Sequence, residues 1–184
     1  MPLNKTILKE QLVQLPKKEL ADMVLKLAGK RYNYEFLLVN FLDPEGGEQT
    51  LYEEALEDIE LLCKKEYKGR TIQHQRVKML GACIKRINEF TVETKSKKLE
   101  ADLILQVLEK QFAQPQRVFG AKFSGYDYKV GLLLKKLISI VTKKIHPDYY
   151  IDYEEKINEM LTRLHKTSDR VNTIKLLPEK IQNE

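Results

Sequence analysis

One stretch of the chain, KKIHPDYYIDYEEK at residues 143–156, concentrates side chains that could carry a function. It holds one of only three histidines, with aspartates and tyrosines within a few residues of it. Such a combination suits either contact with a protein partner or the junction at which one helix ends and the next begins. The candidate partner-contact residues are His146, Asp148 and Tyr149.

The residues around this stretch favour the helix junction. Lys143 and His146 fall in the last turn of an amphipathic helix, where positive charge suits the helix dipole. Pro147 ends that helix because a proline restricts the backbone of the residue before it. Asp152, with Glu155 three residues later, forms a capping-box-like start for the next helix. The three tyrosines of the stretch are expected to fill the corner between the two helices.

His146-Pro147-Asp148 also resembles the tripeptide through which J-domain co-chaperones engage their Hsp70 partner. The preceding helix has a basic face, as the resemblance requires. The sequence departs from that family after the tripeptide, where Tyr149 opens an apolar run in place of a longer basic or polar loop. No counterpart of the family's first helix precedes the stretch. Co-chaperone activity is therefore a lower-ranked hypothesis than the helix corner.

The sequence motifs of most enzyme and metal sites are missing. The three histidines are isolated from one another, and no CxxC, HxxxH or HExxH occurs. Neither GxSxG nor a glycine-rich phosphate loop is present. Paired carboxylates such as Glu53 and Glu57 fall on amphipathic helices, where a solvated face is typical. We predict no catalytic residue, cofactor or metal, although a site assembled from sequence-distant residues leaves no local pattern.

Lysine-rich helix faces form a second candidate site. The net charge is +5, which permits an acidic partner. Only acidic charges occur from Asp43 to Glu60, whereas basic residues dominate from Lys64 to Lys98. The favoured interpretation is that an acidic helix packs beside a basic one. The alternative is nucleic-acid or polyanion binding, for which the candidate residues are Lys78, Lys85, Lys129, Lys136 and Lys143.

Apolar residues recur at helical spacing along almost the whole chain. Eight glycines and six prolines are few for an all-β fold built on tight turns. The pattern predicts helices at about 16–29, 31–42, 48–67, 72–91, 97–112, 127–145 and 152–166. Short helices capped by Asn4 and Ser168 are expected at the two ends. The segment 31–42 is so apolar that we expect it to be largely buried, with a strand as the alternative.

These helices predict an all-α fold of seven to nine amphipathic helices. A chain of 184 residues is long enough for one domain with a sizeable core. We predict a single helical domain over 1–184, with a candidate sub-boundary near 113–126 and two helical lobes as the alternative. Helix 127–145 is expected at the centre of the core because eight aliphatic residues occupy about half of its surface.

Several features predict a cytoplasmic protein. Purely apolar runs such as Leu132–Leu134 are too short to span a bilayer. The N-terminal segment is charged throughout and lacks the apolar region of a signal peptide. Cys63 and Cys83 fall at apolar positions of different predicted helices, which indicates buried, reduced thiols and not a structural disulfide.

Most of the chain resembles an uncharacterised bacterial all-helical family, a domain of unknown function. The similar segments are LKEQLVQLPKKELADMVLKL, EFLLVNFLDP, KKEY, LEADLILQVLE and the paired helices across 127–166. The chain after Thr167 departs from the family. The resemblance implies an all-helical cytosolic domain and no activity. We therefore expect a non-catalytic module that binds a partner protein through a helix face or groove, with its oligomeric state open.

Overall fold

A computed structural model describes residues 4–121, 125–168 and 171–182. Every regular element within these ranges is helical, which confirms the predicted all-α class. The α-helices are α1 Lys5–Val13, α2 Lys17–Ala28, α3 Arg31–Leu37, α4 Gly47–Lys64, α5 Ile72–Glu93, α6 Lys97–Phe112, α7 Tyr126–Lys143, α8 Ile151–Thr167 and α9 Asn172–Lys175. Among the described helices, none is both long enough and apolar enough to cross a membrane.

The chain divides into two compact units, Met1–Gly47 and Glu48–Glu184. The first unit contains α1 to α3, and the second contains α4 from its second residue onwards, followed by α5 to α9. The stretch 113–126, the candidate sub-boundary, belongs to the second unit, and its residues 122–124 lie outside the described ranges. The number of independently folding domains stays a prediction.

In the first unit, polar side chains accept hydrogen bonds from the backbone at a helix start and in a loop. The Asn4 side chain accepts hydrogen bonds from the backbone N–H groups of Thr6 and Ile7, so this residue caps α1 as predicted. A π-helical turn, Leu38–Leu42, extends α3. The Asp43 carboxylate then accepts a hydrogen bond from the Gly46 N–H at 2.9 Å and shapes the following loop.

The apolar segment 31–42 is helical throughout but is not largely buried, so that expectation was wrong. Phe36, Phe41 and Leu42 are 43%, 66% and 68% exposed. The segment consists of the short helix α3 and the π-helical turn that follows it. A unit of this size has too few elements to cover all of them.

The core of the second unit is built around α7. This helix packs against α5, α6, α8 and α9. Its apolar residues meet those of α6 and α8, and the fully enclosed side chains include Leu103, Ile104, Leu108, Leu134, Leu137, Ile157 and Leu161. The central position that the sequence predicts for this helix is therefore confirmed.

An aromatic cluster closes one end of this core. The Phe119 ring lies 5.3 Å from the Phe112 ring and 5.3 Å from the Tyr126 ring, measured between centroids. The Arg163 guanidinium lies 4.9 Å from the Phe119 ring centroid and donates hydrogen bonds to the carbonyl oxygens of Phe112 and Gln114. The segment between α6 and α7 is thereby fixed to α8.

Two predicted helix caps are wrong. Helix α8 begins at Ile151, directly after the 3₁₀ turn Pro147–Tyr149, and its first residue is preceded by Tyr150 with no side-chain cap. Asp152 therefore lies inside the first turn. Ser168 does not cap α9 but donates a hydrogen bond to the buried Asp127 carboxylate at 2.7 Å. For Ser168, a tertiary hydrogen bond outweighs the local capping preference.

The core position of α7 can be tested by two substitutions of the same residue type on that helix. Leu134→Ala is expected to lower the free energy of unfolding by about 2–5 kcal/mol, because Leu134 is 0% exposed and its truncation leaves a cavity. Leu132→Ala, at a position 42% exposed, should change it by less than about 0.5 kcal/mol. Chemical denaturation followed by far-UV circular dichroism measures both. Equal effects of the two substitutions would contradict this orientation of α7.

Candidate functional site

Lys129 and Lys136, two of the five candidate polyanion-binding lysines, contact groups on neighbouring helices. The Lys136 ammonium lies 2.9 Å from a Glu100 carboxylate oxygen on α6 and 3.3 Å from the Asn88 side-chain oxygen on α5. The Lys129 ammonium donates a hydrogen bond to the Val77 carbonyl oxygen on α5 at 3.4 Å. Both contacts follow from the packing of α7 against α5 and α6.

The other three lysines are exposed. On α5, Lys78 donates a hydrogen bond to the Lys68 carbonyl oxygen at 2.6 Å, and Lys85 lies 3.7 Å from the Glu89 carboxylate. Lys143 is the last residue of α7. The basic stripe predicted along α7 is thus partly an internal helix contact. Whether the exposed lysines bind a polyanion stays a prediction.

Glu100 explains why Lys136 is held in place. Its side chain is only 5% exposed and accepts hydrogen bonds from Lys97 at 2.7 Å and from Lys136 at 2.9 Å. Burial alone would raise the pKa of this carboxyl group, but the two hydrogen-bonded lysines outweigh burial and lower it. Glu100 therefore remains ionised and ties α7 to the start of α6.

The acidic and basic segments also meet through an ion pair. The Arg86 guanidinium on α5 lies 2.8 Å from the Asp58 carboxylate on α4. The Arg86 side chain is 4% exposed, so this cation lies within the packed helices and not on an outer basic face. The contact agrees with the interpretation that the acidic helix packs beside the basic one.

The candidate partner-contact residues come together at the surface between α7 and α8. His146 Nδ1 lies 3.2 Å from the Asp148 carboxylate and accepts a hydrogen bond from the Asp148 backbone N–H at 3.4 Å. The Tyr149 ring is 42% exposed, and the Lys98 ammonium lies 5.4 Å from its centroid. These contacts form a solvent-exposed turn.

The buried tyrosine of the same stretch connects α8 to α6. Tyr153 is 1% exposed, and its hydroxyl donates a hydrogen bond to Asp102 at 2.5 Å. The Lys98 ammonium lies 2.9 Å from the other oxygen of the Asp102 carboxylate. Burial and the Asp102 charge raise the pKa of Tyr153, so its hydroxyl keeps its proton and remains a donor.

The first unit carries exposed apolar residues on α2 and at the end of the segment 31–42. Met23, Val24 and Leu27 lie on one side of α2 and are 38%, 42% and 54% exposed. Of the described residues in α1 and α2, none is buried. Phe36 and Phe41 contact each other edge to face at 5.8 Å and remain exposed. We call the five residues Met23, Val24, Leu27, Phe41 and Leu42 the N-terminal apolar set.

A pair of thiols comes together that the sequence does not predict. The Cys63 and Cys83 sulfur atoms lie 3.9 Å apart, although the residues are 20 positions apart in sequence. No short motif marks such a pair, because its geometry depends on how α4 packs against α5. The only signal in the sequence is that each cysteine falls on the apolar stripe of its helix.

At the α7–α8 corner, the different contributions of Tyr153 and His146 to stability can be tested by substitution. Tyr153→Phe is expected to lower the free energy of unfolding by about 1–3 kcal/mol, because it removes the donor to a partly buried carboxylate. His146→Gln should change it by less than about 0.5 kcal/mol, since His146 is exposed. Thermal denaturation of both variants measures the difference, and a larger loss for His146→Gln would contradict this division of roles.

A second prediction concerns the lysines of α7. Lys136→Ala is expected to lower the free energy of unfolding at neutral pH by about 1 kcal/mol, whereas Lys135→Ala at an exposed neighbouring position should have almost no effect. The lowered pKa of Glu100 stabilises the fold above the usual glutamate range, and this stabilisation is lost as the pH falls through the folded-state pKa. The Lys136→Ala deficit should therefore shrink in acid. Denaturant titrations at neutral and acidic pH test this, and a pH-independent deficit would contradict it.

Known proteins offer no further guide to these sites. No family model matches the chain, and neither a curated protein nor a solved structure matches it. The resemblance to an all-helical bacterial family stays a prediction. Within the described ranges, no group of three or more His, Cys, Asp or Glu side chains is placed to hold a metal ion.

Proposed function

We propose that the protein is a cytoplasmic, non-catalytic helical module that binds an amphipathic helix of a partner protein through the N-terminal apolar set. The observation that carries this proposal is the exposed face of α2, where Met23, Val24 and Leu27 are 38–54% exposed. Amphipathic helices normally bury such a face against another element. Exposed apolar residues grouped on one element are typical of interaction sites.

The energetics favour a contact that extends beyond α2. Covering the exposed part of one of these side chains gains on the order of 1 kcal/mol, whereas association costs about 4–15 kcal/mol. One helix face is therefore insufficient for stable binding. Phe41 and Leu42, at 66% and 68% exposure, have the most uncovered surface in the set and are expected to contribute the largest part.

The chemistry of the first unit favours a helical, apolar partner. Residues 1–47 contain seven basic and six acidic side chains, so long-range electrostatic attraction is weak for a partner of either sign. The described residues of this unit contain no strand to whose edge an extended peptide could add. Helix-in-groove binding through apolar anchors remains the mode that fits.

Both cysteines are free thiols, which supports a reducing compartment.

The proposal predicts that exposed apolar residues of the two units differ in function. In the full-length protein, the double substitution Leu27→Ser with Phe41→Ser is expected to reduce recovery of the partner from nuclease-treated lysate at least about tenfold. The matched control is Leu61→Ser with Leu176→Ser, at positions of the second unit that are 66% and 75% exposed. Quantitative mass spectrometry of the bound fraction measures recovery, and circular dichroism checks that both variants fold.

Three outcomes would count against this function. Equal recovery of the partner with both double variants would remove the N-terminal apolar set from binding. Loss of all bound material on nuclease treatment would favour the polyanion alternative. A concentration-dependent dimer that the Leu27→Ser and Phe41→Ser variant abolishes, measured by light scattering, would assign the surface to a second copy of this chain.

A further inference from the structure

The two cysteines form an asymmetric thiol pair between α4 and α5. Cys63 lies in the last turn of α4, one residue before its end, and is partly exposed. Cys83 lies in the middle of α5 and is 0% exposed. Their sulfur atoms are 3.9 Å apart, within hydrogen-bonding range for thiols. A reagent in solution can therefore reach Cys63 first.

A cavity of about 420 Å³ lies beside Cys63. Its walls include Tyr67, Arg76 and Met79, with Lys65 and Glu66 from the segment between the two helices. The Tyr67 hydroxyl oxygen is buried and has no hydrogen-bond partner among the described residues. The space is large enough for water or a small polar molecule, and the Tyr67 hydroxyl offers it a hydrogen-bond donor.

The surroundings of the pair favour ionisation of Cys63. A hydrogen bond from the Cys83 thiol is the main reason that the pKa of Cys63 is lowered to about 7. Burial opposes this shift, the positive charges of Lys110 and Arg76 add to it, and Glu60 opposes it weakly. The same hydrogen bond and burial raise the pKa of Cys83, so that thiol keeps its proton. One sulfur is thus a nucleophile and the other a proton donor.

We propose that Cys63 and Cys83 form a reversible dithiol–disulfide site that small hydroperoxides oxidise, with Cys63 as the attacking sulfur and Cys83 as the resolving sulfur. The proposal rests on the sulfur–sulfur distance, the one-sided exposure of the pair and the adjoining cavity. It is independent of the partner-binding function, because its residues belong to the second unit.

The chemistry proceeds in two balanced steps. The Cys63 thiolate attacks the terminal oxygen of the hydroperoxide, so an S–O bond forms, the O–O bond breaks, and the departing alkoxide or hydroxide takes a proton from water. Cys63 loses two electrons to become a sulfenic acid, and the peroxide gains them. Cys83 sulfur then attacks Cys63 sulfur. The S–S bond forms, the S–O bond breaks, and the leaving hydroxide departs as water with the Cys83 proton.

Closing the disulfide requires the two sulfurs to move together. The sulfurs must approach from 3.9 Å to about 2 Å. Cys63 occupies the last turn of α4, where the chain passes into the irregular segment 65–71, so its side chain can shift without displacing the middle of a helix. An external thiol would reverse the reaction by disulfide exchange and would itself be oxidised.

The first test uses the reduced full-length protein and hydrogen peroxide at an equimolar dose. Intact mass spectrometry is expected to show loss of two hydrogens with no added oxygen, and non-reducing peptide mapping should find Cys63 joined to Cys83 within one chain. Dithiothreitol should restore both thiols. The initial rate should rise with pH around a midpoint near 7, as the Cys63 thiolate forms.

Two variants separate the roles of the sulfurs. Cys83→Ala is expected to accumulate a sulfenic acid at Cys63, trapped by dimedone. Cys63→Ala should be oxidised at least about tenfold more slowly than the wild type, because Cys83 is buried and protonated. Cys83→Ala also removes the hydrogen bond that lowers the pKa of Cys63, so the two variants are compared at about pH 9, where the Cys63 thiolate forms without it. Disulfides between chains, a persistent sulfenic acid in the wild type, or equal rates for both variants at that pH would overturn the proposal. Peptide mapping of the wild type decides the linkage even if a variant fails to fold.

Discussion

Burial of the apolar side of α7 is the constraint on which the second unit depends. Helices α5, α6, α8 and α9 approach α7. The approach of α9 is so close that a Cβ at Gly131 would lie 2.6 Å from the Ile174 Cδ1. Because α5 and α6 cover the flanks of α7, Lys129 and Lys136 reach groups on these helices instead of extending into solvent. The lysine stripe on α7, which the sequence suggests as a cation surface, therefore lies partly against neighbouring helices at the edge of the core.

The two units show that the number of available elements decides whether an amphipathic helix buries its apolar face. In the second unit, residues 48–184 supply enough elements for each large helix to bury its apolar face. In the first unit, α2 has an equally regular apolar face, but few other elements are available to cover it. The surface-to-volume ratio of such a small unit leaves apolar area in water unless a partner covers it. Its exposed face therefore follows from size as well as from sequence.

The features that could be predicted from sequence are those with local causes. Helix α6 agrees with the predicted range of about 97–112, and the Asn4 cap is correct, because helical period and side-chain caps act within a few positions. The failures involve partners far along the chain. Ser168 looked like a helix cap but bonds Asp127, which lies 41 positions away. The Cys63–Cys83 distance and the Glu100–Lys136 pair likewise depend on how helices pack, which no local pattern encodes.

The thiol pair is a consequence of the same packing that joins the acidic and basic helices. Asp58 on α4 meets Arg86 on α5, and a cation buried to that degree is stable only when it is paired. Cys63 lies five positions after Asp58, and Cys83 lies three positions before Arg86. The ion pair therefore favours a register of α4 on α5 that places Cys63 against Cys83. A charge contact thereby positions a site whose chemistry neither cysteine could provide alone.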